Sequence, residues 1–143
     1  MASGTPDYYQ TVRESYGAAT WSWGLKTVTA NAATNIITKS GKGVIYGGSV
    51  TLDPAASQKG GIVSVVVDGW ILGANDFEEL NKFNQVGIHD MPAHLRMYDE
   101  INFRYCVAIS SGITFEESLD IIYNETQGRT PDVTGMVYYA LMQ

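Results

Sequence analysis

From residue 25 onward, turn residues cut the chain into short apolar segments at intervals of roughly 8–12 residues, a spacing characteristic of β-sandwiches and barrels. "LKTVTA" (25–30) and "TNIITKS" (34–40) read as strands separated by "NAA". In "GVIYGGSVTLD" (43–53), Val44, Tyr46, Val50 and Leu52 fall on one face, with Gly48 in the same row. "INFRYCVAI" (101–109) alternates, so that Ile101, Phe103, Tyr105, Val107 and Ile109 point one way. "ITFEESLDIIYNE" (113–125) places Ile113, Phe115, Leu119, Ile121 and Tyr123 in one row. Glu117 interrupts that row, which suggests a bulge or an exposed edge. "GIVSVVVDGWIL" (61–72) and "VTGMVYYALM" (133–142) are apolar on both faces, as central strands are.

One segment has the helical period instead. "ANDFEELNKFNQ" (74–85) offers Asn75 or Asp76 as N-cap, acidic residues in its first turn, and an apolar stripe of Phe77, Leu80 and Phe83. The expected architecture is therefore all-β. It is an antiparallel β-sandwich, jelly-roll-like, of about eight strands with one short inserted helix. Residues 1–24, "MASGTPDYYQTVRESYGAATWSWG", follow neither period and read as an extended N-terminal arm. Residues 25–143 form the single sandwich domain. Tyr8, Tyr9, Trp21 and Trp23 are too apolar for a free tail, so they are expected to cover this subunit's core or bind a neighbour.

The stretch "VVVDGWIL" (65–72) leaves two readings open. Asp68-Gly69 is a type I′ hairpin signal. Alternatively, the strand runs on past Gly69 as a bulge and delivers the chain to the helix. Either way, Trp70 lies in an apolar run and is expected to pack under the helix against Phe77 or Leu80.

Composition bounds the partners. The net charge is −6 with only 9 Lys and Arg, which argues against nucleic acid and anionic membrane surfaces. No run approaches the roughly 18 apolar residues of a membrane span, and the N-terminus lacks the pattern of a signal peptide. The one cysteine, Cys106, sits in an apolar run and reads as a buried small hydrophobe. A chain without disulfides fits a reducing cytoplasm.

Catalytic signals are weak. His89, Asp90 and His94 in "HDMPAH" are the nearest approach to a metal site, but zinc takes three or four ligands and no other histidine exists. The acidic neighbours in "YDE" (98–100) and "FEES" (115–118) point to opposite faces if they lie on strands. No G-x-S-x-G elbow or phosphate loop is present. No enzyme, cofactor or metal is expected. The aromatics Trp21, Trp23, Trp70, Tyr8, Tyr9, Tyr138 and Tyr139 fill cores and subunit contacts, or form a face on which a glycan stacks.

"GKGVIYGGSVTLD" followed by "VVVDGWIL", then "ITFEESLDIIY" and a last strand ending "VYYALM", resembles small β-sandwich virion proteins of tailed bacteriophages. These are the decoration, minor capsid and fibre-associated subunits. The resemblance covers residues 41–72 and 113–142, and the helix with the loop 86–94 departs from it. It implies a non-enzymatic structural subunit, assembled in the host cytoplasm into a virion. Its partners would be its own copies, through the aromatic arm, and capsid or tail proteins. The alternative is a carbohydrate-binding module or glycan-binding receptor-recognition domain.

Overall fold

The computed structural model describes residues 17–52, 60–82 and 92–142. The strands are β1 (Thr20–Thr27), β2 (Ala33–Ser40), β3 (Gly43–Leu52), β4 (Ile62–Val67) and β5 (Trp70–Asp76), then β6 (Ala93–Asp99), β7 (Arg104–Ile109), β8 (Ile113–Phe115), β9 (Ser118–Asn124) and β10 (Asp132–Leu141). One helix, α1 (Phe77–Lys82), separates β5 from β6. The described residues thus hold ten strands rather than about eight, in two antiparallel sheets that form an all-β sandwich. The six-stranded sheet runs β1-β10-β3-β7-β6, with β8 also on β3, and the four-stranded sheet runs β2-β9-β4-β5.

The core lies between the sheets. Ile45, Val50 and Val137 from the larger sheet and Val65, Leu119 and Ile121 from the smaller are fully buried. The alternating rows expected of Tyr105, Val107 and Ile109, and of Leu119, Ile121 and Tyr123, point into it. β4 and β10 are interior strands, as their two apolar faces required. The helix closes one end of the sandwich. Asp76 caps it by accepting the Glu79 N–H at 2.6 Å, and the Phe77 ring lies 5.7 Å from that of Tyr105. It starts at Phe77, directly after the expected cap, because β5 stays paired with β4 up to Asp76, opposite Ile62. Residues 83–85 lie outside the described residues.

Five expectations need correction. First, Thr20–Gly24, assigned to the arm, are the first half of β1, which pairs with β10 from Thr20↔Tyr139 to Thr27↔Asp132. Second, Tyr46 does not share a face with Val50 and Leu52. Tyr138 pairs with Gly47 and Tyr139 with Ile45, so Tyr46 is the extra residue of a bulge. The bulge reverses the alternation, buries Ile45 and turns Tyr46 outward. Third, Glu117 marks neither a bulge nor an edge. The chain leaves the larger sheet after β8 and enters the smaller at β9, and Glu116-Glu117 is the corner between them.

Fourth, Ile101 and Phe103 do not continue the β7 row. They occupy the turn before it, and Ile101 is exposed. Fifth, Trp70 does not pack under the helix but is 77% exposed. Asp68-Gly69 is the hairpin turn: both residues have positive φ, 52° and 81°, as a type I′ turn demands. Val67 pairs with Trp70, and a bulge then sets Val65 opposite Gly73 instead of Leu72. Trp70 stands at the tip of the hairpin, beyond the reach of Phe77 and Leu80, which are buried at the other end of β5.

Candidate functional site

β1 is an edge strand of the larger sheet, and its alternation sorts small residues from large. Gly24 faces inward, where a Cβ would stand only 2.9 Å from the carbonyl oxygen of Ile36. Trp21, Trp23 and Leu25 face outward, with Trp21 59% and Trp23 68% exposed. Register places Trp21 beside Tyr138 and Trp23 beside Met136 on β10. The Trp21 and Tyr138 rings stack with centroids 4.7 Å apart and planes 27° from parallel, and Tyr46 on β3 lies 5.8 Å beyond. An aromatic row therefore crosses three strands on the outside of the molecule, with Trp23, Leu25 and Met136 extending it. Aromatic pairs in offset geometry contribute about 0.5–1.5 kcal/mol beyond their burial, so the row is a preformed surface.

A second apolar exposure is the tip of the β4–β5 hairpin, where Trp70, Ile71 and Leu72 stand open on the edge of the smaller sheet. A third is the β6–β7 turn, with Ile101 and Phe103. That turn is held by Asp99, which accepts the N–H groups of Ile101 at 3.0 Å and Asn102 at 3.1 Å. The Asn102 side chain and backbone together keep the Asp99 carboxyl below its ordinary range.

The other candidates resolve into structural roles. In "YDE", Tyr98 donates its hydroxyl to Glu100 at 2.6 Å, while Asp99 caps the turn. In "FEES", the N–H groups of Glu116 and Glu117 donate to Asp68, and the Glu116 carboxylate pairs with Lys42 at 3.2 Å. These acids converge on no common cleft. Cys106 is buried, and the Thr51 hydroxyl donates to its sulfur at 3.3 Å. His94 is buried on β6. His89 and Asp90 lie outside the described residues, as do Tyr8 and Tyr9 of the aromatic arm. Among the described residues no three His, Cys, Asp or Glu gather as metal ligands, and no helix is long and apolar enough to cross a membrane.

Sequence reasoning singled out Trp21, Trp23 and Tyr138 but not Tyr46 or Met136 as their neighbours. The available signal was the even row of β10, where Met136 and Tyr138 sit on the face opposite Val133 and Val137. No protein-family model matches the chain, and no curated protein matches its sequence. Its fold is similar to a chain of the acidic stable capsid structure of Helicobacter pylori bacteriophage KHP30. The TM-score is 0.52 at 12% identity, over 88% of this chain and 90% of that one. The chain is also similar to one from the capsid of Ralstonia phage GP4, with a TM-score of 0.48 at 10% identity over 90% of this chain and 87% of that one. The likeness to the KHP30 capsid chain bears out the resemblance to virion proteins at the level of fold.

Proposed function

We propose that this protein is a non-enzymatic structural subunit of a phage-like virion. It takes a head-decoration, minor-capsid or tail-fibre-associated position and assembles as a homo-oligomer through its aromatic N-terminal region. Trp21 and Trp23 on β1, together with Tyr8 and Tyr9 before it, are the contact residues. The observation that carries this reading is the exposure of Trp21 and Trp23, side by side with Leu25 and Met136, at a sheet edge that is unpaired among the described residues. Soluble monomers rarely leave such contiguous apolar surface open, and a free edge invites association. The likeness of fold to a phage capsid chain supports the virion setting. The hairpin tip at Trp70, on the opposite sheet, supplies a second and different patch. A head-to-tail contact between two unlike patches closes into a ring when its rotation permits.

Light scattering of the intact chain and of a Trp21→Ser/Trp23→Ser variant tests this. The intact chain is expected to be oligomeric at micromolar concentration, and the variant smaller with an unchanged circular dichroism spectrum. An intact chain that stays monomeric and does not co-purify with particles overturns the proposal.

A further inference from the structure

Gly47 is a glycine that the fold does not require. Its φ is outside the left-handed region, and a Cβ built on it meets no heavy atom within 4 Å. Its neighbour Gly48 is different: a Cβ there would stand 2.5 Å from the carbonyl oxygen of Met136. Glycine inside a strand carries an entropic cost and forgoes side-chain packing, and it commonly marks a place where a ligand or another backbone comes close. The space over Gly47 belongs to a cleft of about 420 Å³ on the outer face of the larger sheet, where β3, β7 and β6 adjoin. That volume falls within the range of about 300–1,000 Å³ usual for small-ligand sites.

The walls differ in chemistry. On one side is the ring of Tyr46, half exposed and steadied at its back by Tyr138. On the other stands Arg96 of β6, and the exposed Ser111 of the β7–β8 turn lies at the rim. Arg96 forms no ion pair among the described residues. A chain of net charge −6 repels anions at long range, but salt screens that field beyond about 8 Å, so the nearby guanidinium decides what the cleft accepts.

We propose that this cleft binds an acidic glycan through a carboxylate-bearing pyranose. The apolar face of the sugar stacks on Tyr46, its ring lies against the backbone at Gly47, and its carboxylate meets Arg96 as a charge-assisted hydrogen-bonded pair. Ser111 at the rim faces its hydroxyls. The site adjoins the Trp21–Tyr138 end of the aromatic row, with which it shares Tyr46, Gly47 and Arg96, so sugar binding and oligomer size are read together to tell it from the assembly contact.

Calorimetric titration of the intact protein with 3′-sialyllactose, tetragalacturonate and neutral maltotetraose tests it, with particle size measured on the same samples. At least one acidic saccharide is expected to bind about tenfold more tightly than the neutral one. Gly47→Val fills the floor and abolishes binding, with melting temperature and oligomer size unchanged because the new side chain enters open space. Gly47→Ala, a smaller intrusion, weakens binding and serves if the valine variant misfolds. Arg96→Gln removes the preference for acid over neutral sugar while leaving the fold intact. The proposal is overturned if neither acidic saccharide binds, or if Gly47→Val binds as the parent does. It is equally overturned if Gly47→Val leaves sugar binding absent in both and instead changes oligomer size, since the cleft is then a contact between subunits.

Discussion

Asp68 and Ser118 hold each other twice: the Asp68 N–H donates to the Ser118 carbonyl, and the Asp68 carboxylate accepts the Ser118 N–H, both at 2.9 Å. The same carboxylate accepts the N–H groups of Glu116 at 3.0 Å and Glu117 at 2.7 Å. The tip of the β4–β5 hairpin thus pins the corner at which the chain passes from one sheet to the other. Asp68 suits both tasks, since aspartate tolerates its φ of 52° better than most residues and its short carboxylate reaches nearby amides. The amides of Glu116, Ser118 and Glu117 hold its pKa below the ordinary carboxylate value.

Asp68→Ala is expected to lower the melting temperature and speed hydrogen exchange at residues 116–118. Asp68→Asn should do less harm, because asparagine keeps the backbone geometry and one acceptor oxygen. The pH dependence has a definite sign. A carboxyl whose folded pKa lies below its unfolded value, about 4, contributes stability that is complete above that value and lost as pH falls through the folded pKa. The gap in melting temperature between the parent and Asp68→Asn should therefore shrink on acidification. A gap that stays constant from neutral pH into the acid range shows that the charge plays no part.

Glu125 is a second carboxylate of this kind, and it is buried. Burial opposes its ionisation, but N–H groups of Asn31, Gln127, Arg129 and Gly128 outweigh that effect and lower its pKa. The bonds from Asn31 (2.8 Å), Gln127 (2.7 Å) and Gly128 (2.9 Å) tie the β1–β2 turn to the loop after β9. Glu125→Ala should cost about 1–3 kcal/mol in urea unfolding at neutral pH, since it leaves those amides without their acceptor. The loss should diminish in acid, with the same sign as for Asp68.

Leu119 is fully buried on β9, between β2 and β4. Leu119→Ala is expected to cost about 2–5 kcal/mol, the sum of lost transfer energy and a residual cavity. Chemical denaturation measures it, and a cost below about 1 kcal/mol places Leu119 outside the packed core.

Trp70→Ser is expected to change stability by no more than about 0.5 kcal/mol in the same measurement, as for an open surface site. A tryptophan packed under the helix would cost about 3–5 kcal/mol instead. The two values are far enough apart for one unfolding curve to decide where the side chain lies.

Local signals read well wherever neighbours in the chain settle the geometry. Alternation marked the inward faces of Tyr105, Val107 and Ile109 and of Leu119, Ile121 and Tyr123. Asp76 was recognisable as a cap, because a cap needs only the N–H groups of the following turn. Asp68-Gly69 was recognisable as a hairpin signal for the same reason, since the residues that must adopt positive φ are adjacent. The aromatic content of β1 was also plain. The partners Tyr46 and Met136 were not, because they come from strands whose register with β1 is set across the whole sheet.

The sequence by itself determined the class of fold: period-two apolar rows, low charge and frequent turn residues permit little besides stacked antiparallel sheets. Only the tertiary structure decided which row belongs to which sheet. Ile113 to Tyr123 is one apolar row in the sequence, yet Phe115 serves the larger sheet and Leu119 the smaller, with Asp68 holding the corner from about fifty residues away. Trp70 shows the same limit. Its run is as apolar as a core strand, but it stands at the tip of a hairpin whose second strand is the edge of the smaller sheet, and the ring is left in solvent. Alternation reports which side of a strand is apolar. What covers that side depends on the lengths and registers of strands distant in the chain, and the stacking of Trp21 on Tyr138 exists only once β1 and β10 have met.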